Sequence, residues 1–225
     1  FAYELAVIVQ DGLERMFQNQ EDIYYYITIM NENYIHPPLP KGVERDIING
    51  IYLYKKSTIK GPKVQLIGSG AILREVIEAA SILEKDFKIA ANVLSATSFN
   101  ELRKNALEIE RWNRLNPGKK KKSSHIENTI TDKKSPVIAS TDYMKSFPEQ
   151  ISRFLPNKFI ALGTDGYGRS DSREALRDFF EVNRYHVVLA AITALVDINK
   201  IDISILLKAA KNFKLDGNKL NPINN

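Results

Sequence analysis

The sequence lacks cysteine among its 225 residues, which excludes disulfide bonds and thiolate metal sites from this chain. It has no unbroken apolar run of the roughly 18 residues that a membrane-spanning helix needs, so we expect no membrane contact and a cytoplasmic location. Histidine is scarce, with only His36, His125 and His186. No two of them have the spacing of a metal pair, and none follows a predicted strand. We therefore predict no zinc centre, catalytic triad or other catalytic residue in the chain.

Positive charge exceeds negative charge, giving a formal net charge of +5. Much of the excess lies in residues 119–122, four consecutive lysines, and in the pair at 133–134. A surface that binds nucleic acid would interleave aromatic side chains with the lysines for stacking, and none occurs within these runs. We interpret the lysines as a solvated loop tip and predict no nucleic-acid partner.

Apolar and polar segments alternate along the chain as in an α/β protein. After a first helix at the start, strands are predicted at residues 22–30, 51–54, 64–67, 91–95, 136–140 and 159–162. Helices are predicted at 71–86, 100–113, 145–154, 172–180, 184–198 and 203–213, with a short one possible at 41–50. The pattern predicts a mostly parallel sheet with helices on both faces. Functional loops in such sheets follow the carboxyl ends of the strands.

Two loops after predicted strands resemble binding motifs only in part. Gly68 and Gly70 follow the strand at 64–67, but the dinucleotide fingerprint would need a third glycine where Leu73 stands. We interpret these glycines as a tight turn with close helix packing. In the second loop, Ser140, Thr141 and Asp142 precede a helix and are most simply interpreted as helix caps.

The loop at residues 163–173 is the strongest candidate for a site. It contains three glycines and the charged residues Asp165, Arg169, Asp171 and Arg173. The two arginines could pair with Asp165 or Asp171, or with a partner surface, and the sequence leaves both open.

Two finer expectations concern the same loop. Asp171, three residues before Glu174, fits an N-cap of the capping-box type. A calcium loop is rejected, because its closing glutamate would fall at Leu176.

The segment at residues 162–173 closely resembles one near the C-terminus of the homodimeric E1 component of bacterial pyruvate dehydrogenase complexes. Other blocks agree in the same order, at residues 10–16, 24–28, 31–34, 65–70, 97–102, 110–113 and 139–145. The resemblance therefore extends over essentially the whole chain. It departs around residues 116–134, where the lysine run stands.

The resemblance implies a transketolase-like architecture. Residues 1–40 would be the end of the middle domain, which holds the pyrimidine of thiamine diphosphate, plus a linker. Residues 41–225 would be the C-terminal α/β domain. Pro37, Pro38 and Pro40 mark the same boundary independently, because proline breaks helices and strands. The chain also begins inside a helical pattern, as expected for part of a larger protein.

The resemblance further implies what the whole enzyme does. It would decarboxylate pyruvate with thiamine diphosphate and Mg²⁺, then pass the acetyl group to a lipoyl group on the E2 acetyltransferase. The family's Gly-Asp-Gly motif for Mg²⁺ and diphosphate is missing. Asp11, Asp165 and Asp216 are each followed by glycine but preceded by Gln10, Thr164 or Leu215. We therefore expect this chain alone to bind neither thiamine diphosphate nor Mg²⁺.

The expected role is that of a noncatalytic structural and dimerisation domain. Asp165, Arg169, Asp171 and Arg173 would form a docking or dimer loop, with a second E1 chain and E2 as partners. Two alternatives stay open. The chain could be the C-terminal domain of another transketolase-like thiamine enzyme, or a free-standing α/β binding module.

Overall fold

The computed structural model describes residues 1–224. Five strands form one sheet: β1 (Ile51–Lys55), β2 (Lys63–Gly68), β3 (Ala90–Ala96), β4 (Val137–Ser140) and β5 (Phe159–Leu162). The helices are α1 (Ala2–Leu13), α2 (Glu44–Ile48), α3 (Ile72–Asp86), α4 (Phe99–Leu115), α5 (His125–Thr129), α6 (Ser146–Glu149), α7 (Arg173–Phe179), α8 (Arg184–Asp197) and α9 (Ile203–Phe213). A π-helical turn, Glu14–Gln18, continues α1, and 3₁₀ turns occupy Ser152–Phe154 and Pro222–Asn224.

The strand order is β1-β3-β2-β4-β5. Only the edge strand β1 is antiparallel to its neighbour, whereas the β3–β2, β2–β4 and β4–β5 pairs are parallel. The prediction of a mostly parallel α/β sheet is confirmed. Successive crossovers run to opposite sides of β2, so the strand order reverses between β2 and β4.

Helices cover both faces of the sheet. Successive side chains in the central strands point to opposite sides, so each strand contributes to two core clusters. Leu66 and Ile138 join a core cluster with α3 and α8, whereas Ile67 and Ala139 join a second cluster on the other face with α4 and α5. The near-continuous apolar runs in β2 and β4 are therefore the sequence signature of strands buried on two sides.

The strand predicted at residues 22–30 is wrong in this structure. The segment runs without regular secondary structure, and Tyr24 and Tyr26 are each 87% exposed. β-branched and aromatic residues favour a strand, but a strand is stable only beside another strand that takes up its backbone hydrogen bonds. No strand of the described chain lies beside this segment.

Two helical regions also differ from expectation. The helix predicted at 145–154 is split into α6 and the 3₁₀ turn Ser152–Phe154. The short helix α5 was missed, although its capping box is visible in the sequence. Ser124 N–H donates to Glu127 Oε2 at 2.8 Å, three residues ahead.

One stretch, Arg173–Asp197, is long and apolar enough to cross a membrane by length and composition alone. It consists of α7 and α8, which are interrupted at residues 180–183. Six apolar side chains of α8, including Val188, Ala191 and Ile192, are buried in the core cluster of the sheet. Burial in the core accounts for the apolar composition of this stretch.

Candidate functional site

The loops that follow β2, β4 and β5 are bonded to one another at the carboxyl edge of the sheet. Ser69 Oγ donates to Thr141 Oγ1 at 2.8 Å. Thr164 N–H donates to the Tyr143 carbonyl at 2.9 Å, and Thr164 Oγ1 donates to the Asp142 carbonyl at 2.6 Å. These polar groups therefore hold the edge together. The prediction that Ser140, Thr141 and Asp142 are helix caps is wrong, since α6 begins only at Ser146 and its N-cap is Lys145.

Gly68 permits the close helix packing expected after β2. A Cβ atom at this position would lie 2.7 Å from Leu73 Cα in α3, a distance that side-chain atoms do not tolerate. Gly70 adopts a positive φ of 54°, which glycine accepts without strain. The pair makes a tight turn and a close helix contact, in agreement with the prediction.

The loop at 163–173 is fixed to the loop after β4 through Asp165. Its Oδ1 accepts the backbone N–H of Lys145 at 3.0 Å, and Lys145 Nζ lies 3.9 Å from Oδ2. A Cβ on Gly163 would lie 2.6 Å from the Tyr143 carbonyl oxygen. The backbones of the two loops therefore approach each other as closely as glycine allows.

In the described part of the chain, the two arginines of this loop do not form ion pairs with Asp165 or Asp171. The Arg169 guanidinium lies over the Phe179 ring, 4.3 Å from its centroid. Arg173 Nη2 donates to Asn31 Oδ1 at 2.8 Å, and its Nε lies 3.7 Å from Glu32 Oε2. The contacts of Arg173 are thus made with a distant part of the chain.

The N-cap of α7 is Ser172, and the prediction of Asp171 is wrong by one residue. Ser172 Oγ accepts the Ala175 N–H at 3.2 Å, and the backbone of Ser172 is extended. Asp171 Oδ1 instead accepts the Ser172 N–H at 2.6 Å. Both residue types cap helices well, so the choice depends on where the chain enters the helix.

Glu32 is the centre of a charge cluster that the sequence did not reveal. Its Oε1 accepts Arg74 Nη1 at 2.8 Å, and its Oε2 accepts Arg177 Nη2 at 2.5 Å. The Glu32 side chain is only 13% exposed. Arg74 also lies over the Tyr34 ring, 4.7 Å from the centroid. The cluster joins residues 31–34 to α3 and α7.

A second buried carboxylate, Glu75, extends the cluster to α8. Arg184 Nε and Nη2 donate to its two oxygens at 2.8 and 3.0 Å, and the Arg184 N–H donates at 3.0 Å. Burial tends to raise the pKa of Glu75, but the hydrogen bonds from Arg184 outweigh it and hold the pKa below the usual range. Glu75 is therefore a charged acceptor that fixes the start of α8.

Asp142 behaves differently at the same edge. Burial raises its pKa above the usual range, and Glu32 adds to this, while its own backbone N–H and Arg177 oppose it. The raised pKa disfavours the charged form, but no nucleophile or second acid pairs with Asp142 in the part of the chain that the structure describes.

The first helix is fixed to the sheet by a buried polar cluster. Glu4 Oε1 accepts the Tyr52 hydroxyl at 2.8 Å and the Ser95 hydroxyl at 2.5 Å. The Tyr3 and Tyr52 hydroxyls are 2.5 Å apart, and burial raises the pKa of Tyr3 to about 12. Residues 1–4 are therefore connected to β1 and β3.

The histidines and lysines noted in the sequence have local roles. His36 Nδ1 accepts the Ala2 N–H at 3.0 Å, His125 Nε2 lies 2.8 Å from the Ile51 carbonyl, and His186 Nδ1 lies 2.9 Å from Asn183 Oδ1. Within the lysine run, Lys122 Nζ lies 4.0 Å from the centroid of the Trp112 ring. That end of the run is exposed to solvent, but its ammonium group contacts the Trp112 ring on α4.

No site in the described part of the chain fits Mg²⁺ and a diphosphate. Asp11 accepts the Tyr25 hydroxyl at 2.6 Å, Asp165 is bonded to Lys145, and Asp216 accepts the Asn218 N–H at 2.9 Å. Among residues 1–224 no group of three His, Asp or Glu side chains could hold a metal ion. A surface cavity of about 300 Å³ beside Arg169 and Phe179 has an arginine but no cluster of metal-binding oxygens.

Comparisons with known proteins match two family models to successive parts of the chain. The family model "Transketolase-like TK C-terminal domain" matches residues 50–183, and "Pyruvate dehydrogenase E1 component middle domain" matches residues 1–37. A transketolase structure from Pichia stipitis superposes with a TM-score of 0.51 and 17% identity over 74% of this chain and 21% of that chain. This likeness concerns the fold alone.

Curated relatives give the more specific likeness. The "Pyruvate dehydrogenase E1 component" of Pseudomonas aeruginosa is 52% identical over 99% of this chain and 26% of its own length. The protein of the same name from Escherichia coli K12 is 49% identical over 99% of this chain and 25% of its own length. The chain thus spans about a quarter of these relatives. It belongs to the transketolase-like C-terminal domain family, and its high-identity relatives are pyruvate dehydrogenase E1 components.

Proposed function

We propose that this chain works as the C-terminal part of a pyruvate dehydrogenase E1 component. The observation that carries the proposal is a sequence identity of about 50% over 99% of the chain. The same relatives match both the segment before the proline-rich linker and the α/β domain after it. Residues 1–40 are assigned to the end of the middle domain plus the linker, and residues 41–225 to the C-terminal α/β domain. The separate family matches at 1–37 and 50–183 support this boundary.

The whole enzyme would decarboxylate pyruvate in the cytoplasm and transfer the acetyl group to the lipoyl group of E2. Thiamine diphosphate with Mg²⁺ would supply the electron sink for decarboxylation. Since the residues described here do not fit that cofactor, we assign its binding to other parts of the enzyme. This chain contributes structure.

The exposed segment at residues 22–30 supports the assignment to a larger protein. Tyr24, Tyr26 and Ile29 are more than 70% exposed, and large apolar side chains exposed in a row mark a surface that is normally covered. We propose that this segment is a strand of the middle-domain sheet and pairs there. The strand propensity and the absence of a paired strand are both explained by this arrangement.

We further propose that the loop at 163–173 docks against the second chain of an E1 homodimer. Asp165 and Gly163 fix its first half to the domain, while Tyr167 is 84% exposed and Asp171 lies at the surface. A loop with a fixed base and an exposed charged tip is suited to docking, because little conformational freedom is lost on binding.

The test uses the full-length enzyme with Arg169→Ala and Asp171→Ala combined. Sedimentation analysis over a dilution series measures dimer dissociation, and pyruvate turnover is followed in the same samples. We expect the variant to dissociate at a higher protein concentration than the parent and to lose activity on dilution. Lys120→Ala, at the exposed lysine run, is the control. Dimerisation and turnover equal to those of the parent enzyme would refute a docking role.

A further inference from the structure

The carboxyl edge between β2 and β4 is the position where open α/β sheets commonly bind ligands. The strand order reverses at this point, and the loops after β2 and β4 meet there through the hydrogen bond from Ser69 to Thr141. Gly70 follows β2, and Asp142 follows β4; a Cβ on Gly70 would lie 3.6 Å from Asp142 Oδ1. In this chain the same edge is approached by residues 28–36, which we call the arm.

The arm is held over this edge by side chains from three elements. The Thr28 hydroxyl contacts the Tyr143 hydroxyl after β4. Asn31 accepts hydrogen bonds from Arg173 through both its carbonyl and its side-chain oxygen, at 3.2 and 2.8 Å. Tyr34 packs against the Arg74 guanidinium. The arm therefore follows the edge of the sheet through specific polar contacts.

Glu32 occupies the centre of this contact. Three guanidinium groups converge on its carboxylate, from Arg74, Arg177 and Arg173, with N–O distances of 2.8, 2.5 and 3.7 Å. We call these three side chains the arginine pocket. Converging guanidinium groups are the usual protein device for recognising a carboxylate or a phosphate, because their N–H groups match paired oxygens.

The charge balance makes the pocket dependent on Glu32. The other well-buried carboxylate, Glu75, already accepts three hydrogen bonds from Arg184, and its distance to Arg177 is longer, at 3.6 Å. Removing the Glu32 carboxylate would leave three guanidinium groups facing one another. Asp142, whose pKa is raised by burial, is a poor substitute as a counter-charge.

We propose that Glu32 is an internal ligand of an anion-binding pocket at the switch point of this sheet, and that its carboxylate holds the arm against this edge. The pocket has the chemistry to take a small oxyanion, a carboxylate or a phosphate, in place of Glu32. The inference stands on contacts within this chain and does not require the pyruvate reaction.

The experiment compares Glu32→Ala with the parent sequence in the full-length protein. Amide hydrogen exchange is measured over residues 28–36, with and without inorganic phosphate at constant ionic strength. In Glu32→Ala we expect exchange of the arm to become at least about tenfold faster, as the loss of charge-assisted hydrogen bonds implies. Phosphate should raise the melting temperature of Glu32→Ala but not of the parent.

Two comparisons keep the test decisive. Glu174→Ala removes an exposed carboxylate on α7 and should change neither arm exchange nor the phosphate response. Glu32→Gln, which preserves size, supplies the same measurements if the alanine variant fails to fold. Unchanged arm exchange in the variant would overturn the proposal. A loosened arm without any response to phosphate or acetate would also overturn it, because the pocket would then not be an anion site.

Discussion

Arg184 binds Glu75 through both its guanidinium and its backbone N–H, with three donor–acceptor distances between 2.8 and 3.0 Å. The two residues are 109 positions apart, and they connect the first turn of α3 to the first turn of α8. This ion pair fixes the angle at which the C-terminal helices pack on the sheet. It also shows that charge in this domain is used for bracing.

Glu75→Gln is expected to lower the free energy of unfolding by about 2–3 kcal/mol, because Arg184 loses a charged acceptor in a buried setting. Glu78→Gln is the matched control, since Glu78 is half-exposed and its carboxylate lies 3.9 Å from Arg184, beyond hydrogen-bond distance. It should change stability by less than about 1 kcal/mol. Urea unfolding at neutral pH measures both. Equal effects would refute the assigned role.

The Glu75 pair also predicts a pH dependence. The pKa of Glu75 is lowered in the folded state relative to an ordinary value of 4.5. Its contribution is therefore complete above pH 4.5 and is lost as the pH falls through the folded-state pKa. Glu75→Gln should flatten the acid side of the stability profile. An acid side as steep as that of the parent protein would contradict the lowered pKa.

His186 predicts a second pH effect near neutrality. Burial lowers its pKa below the ordinary value of 6.5, with Glu181 opposing and Lys219 assisting. The unfolded chain takes up a proton near pH 6.5 while the folded chain resists, so stability falls as the pH drops below that value. His186→Gln should lose less stability than the parent between pH 7.5 and pH 5. Identical losses in urea titrations would show that His186 does not contribute.

Gly163→Ala and Gly168→Ala separate the fixed half of the loop from its exposed half. A Cβ at 163 would meet the Tyr143 carbonyl at 2.6 Å, whereas nothing lies within 4 Å of a Cβ at 168. We expect Gly163→Ala to cost about 2 kcal/mol or more and Gly168→Ala to stay within about 1 kcal/mol of the parent. Thermal unfolding measures the difference. Similar melting temperatures would contradict the close approach of the two loops.

Lys122→Ala tests whether the lysine run is folded onto α4. Loss of the contact with Trp112 should reduce stability by about 0.5–1 kcal/mol. Lys121→Ala, at an exposed position in the same run, should have no measurable effect. If both variants have the stability of the parent, the run is a solvated tip, as the sequence alone predicted.

The sheet was predictable because its central strands have local signatures. β2 and β4 are short apolar runs that alternate with amphipathic helices, and their bounds differ from the predicted ones by one residue at most at each end. Residues 22–30 have the same local signature but lack a neighbour in the described chain, and strand pairing is not a local property. The sequence pattern therefore predicts a strand both in the central sheet and at residues 22–30, but the structure has a strand only in the central sheet.

The charge cluster was not predictable for a related reason. Glu32 is 42 residues from Arg74 and 145 from Arg177, so no periodicity or spacing connects them. The sequence drew attention instead to Asp171 and Arg169, which are close in the chain but do not pair. Local charge density drew attention to the loop at 163–173 but could not give the contacts of its arginines, because long side chains reach whatever the fold brings near.

We expect this chain to brace and dock the enzyme and to take no part in the chemical step. The most direct test is the full-length enzyme with Asp165→Ala and Arg173→Ala combined, assayed for pyruvate decarboxylation with an artificial electron acceptor at protein concentrations where the dimer is intact. We predict a lower melting temperature and a kcat within about threefold of the parent. A fall in kcat of about 100-fold or more in an intact, cofactor-loaded dimer would contradict this expectation, because losses of that size are typical of groups that act in the chemical step.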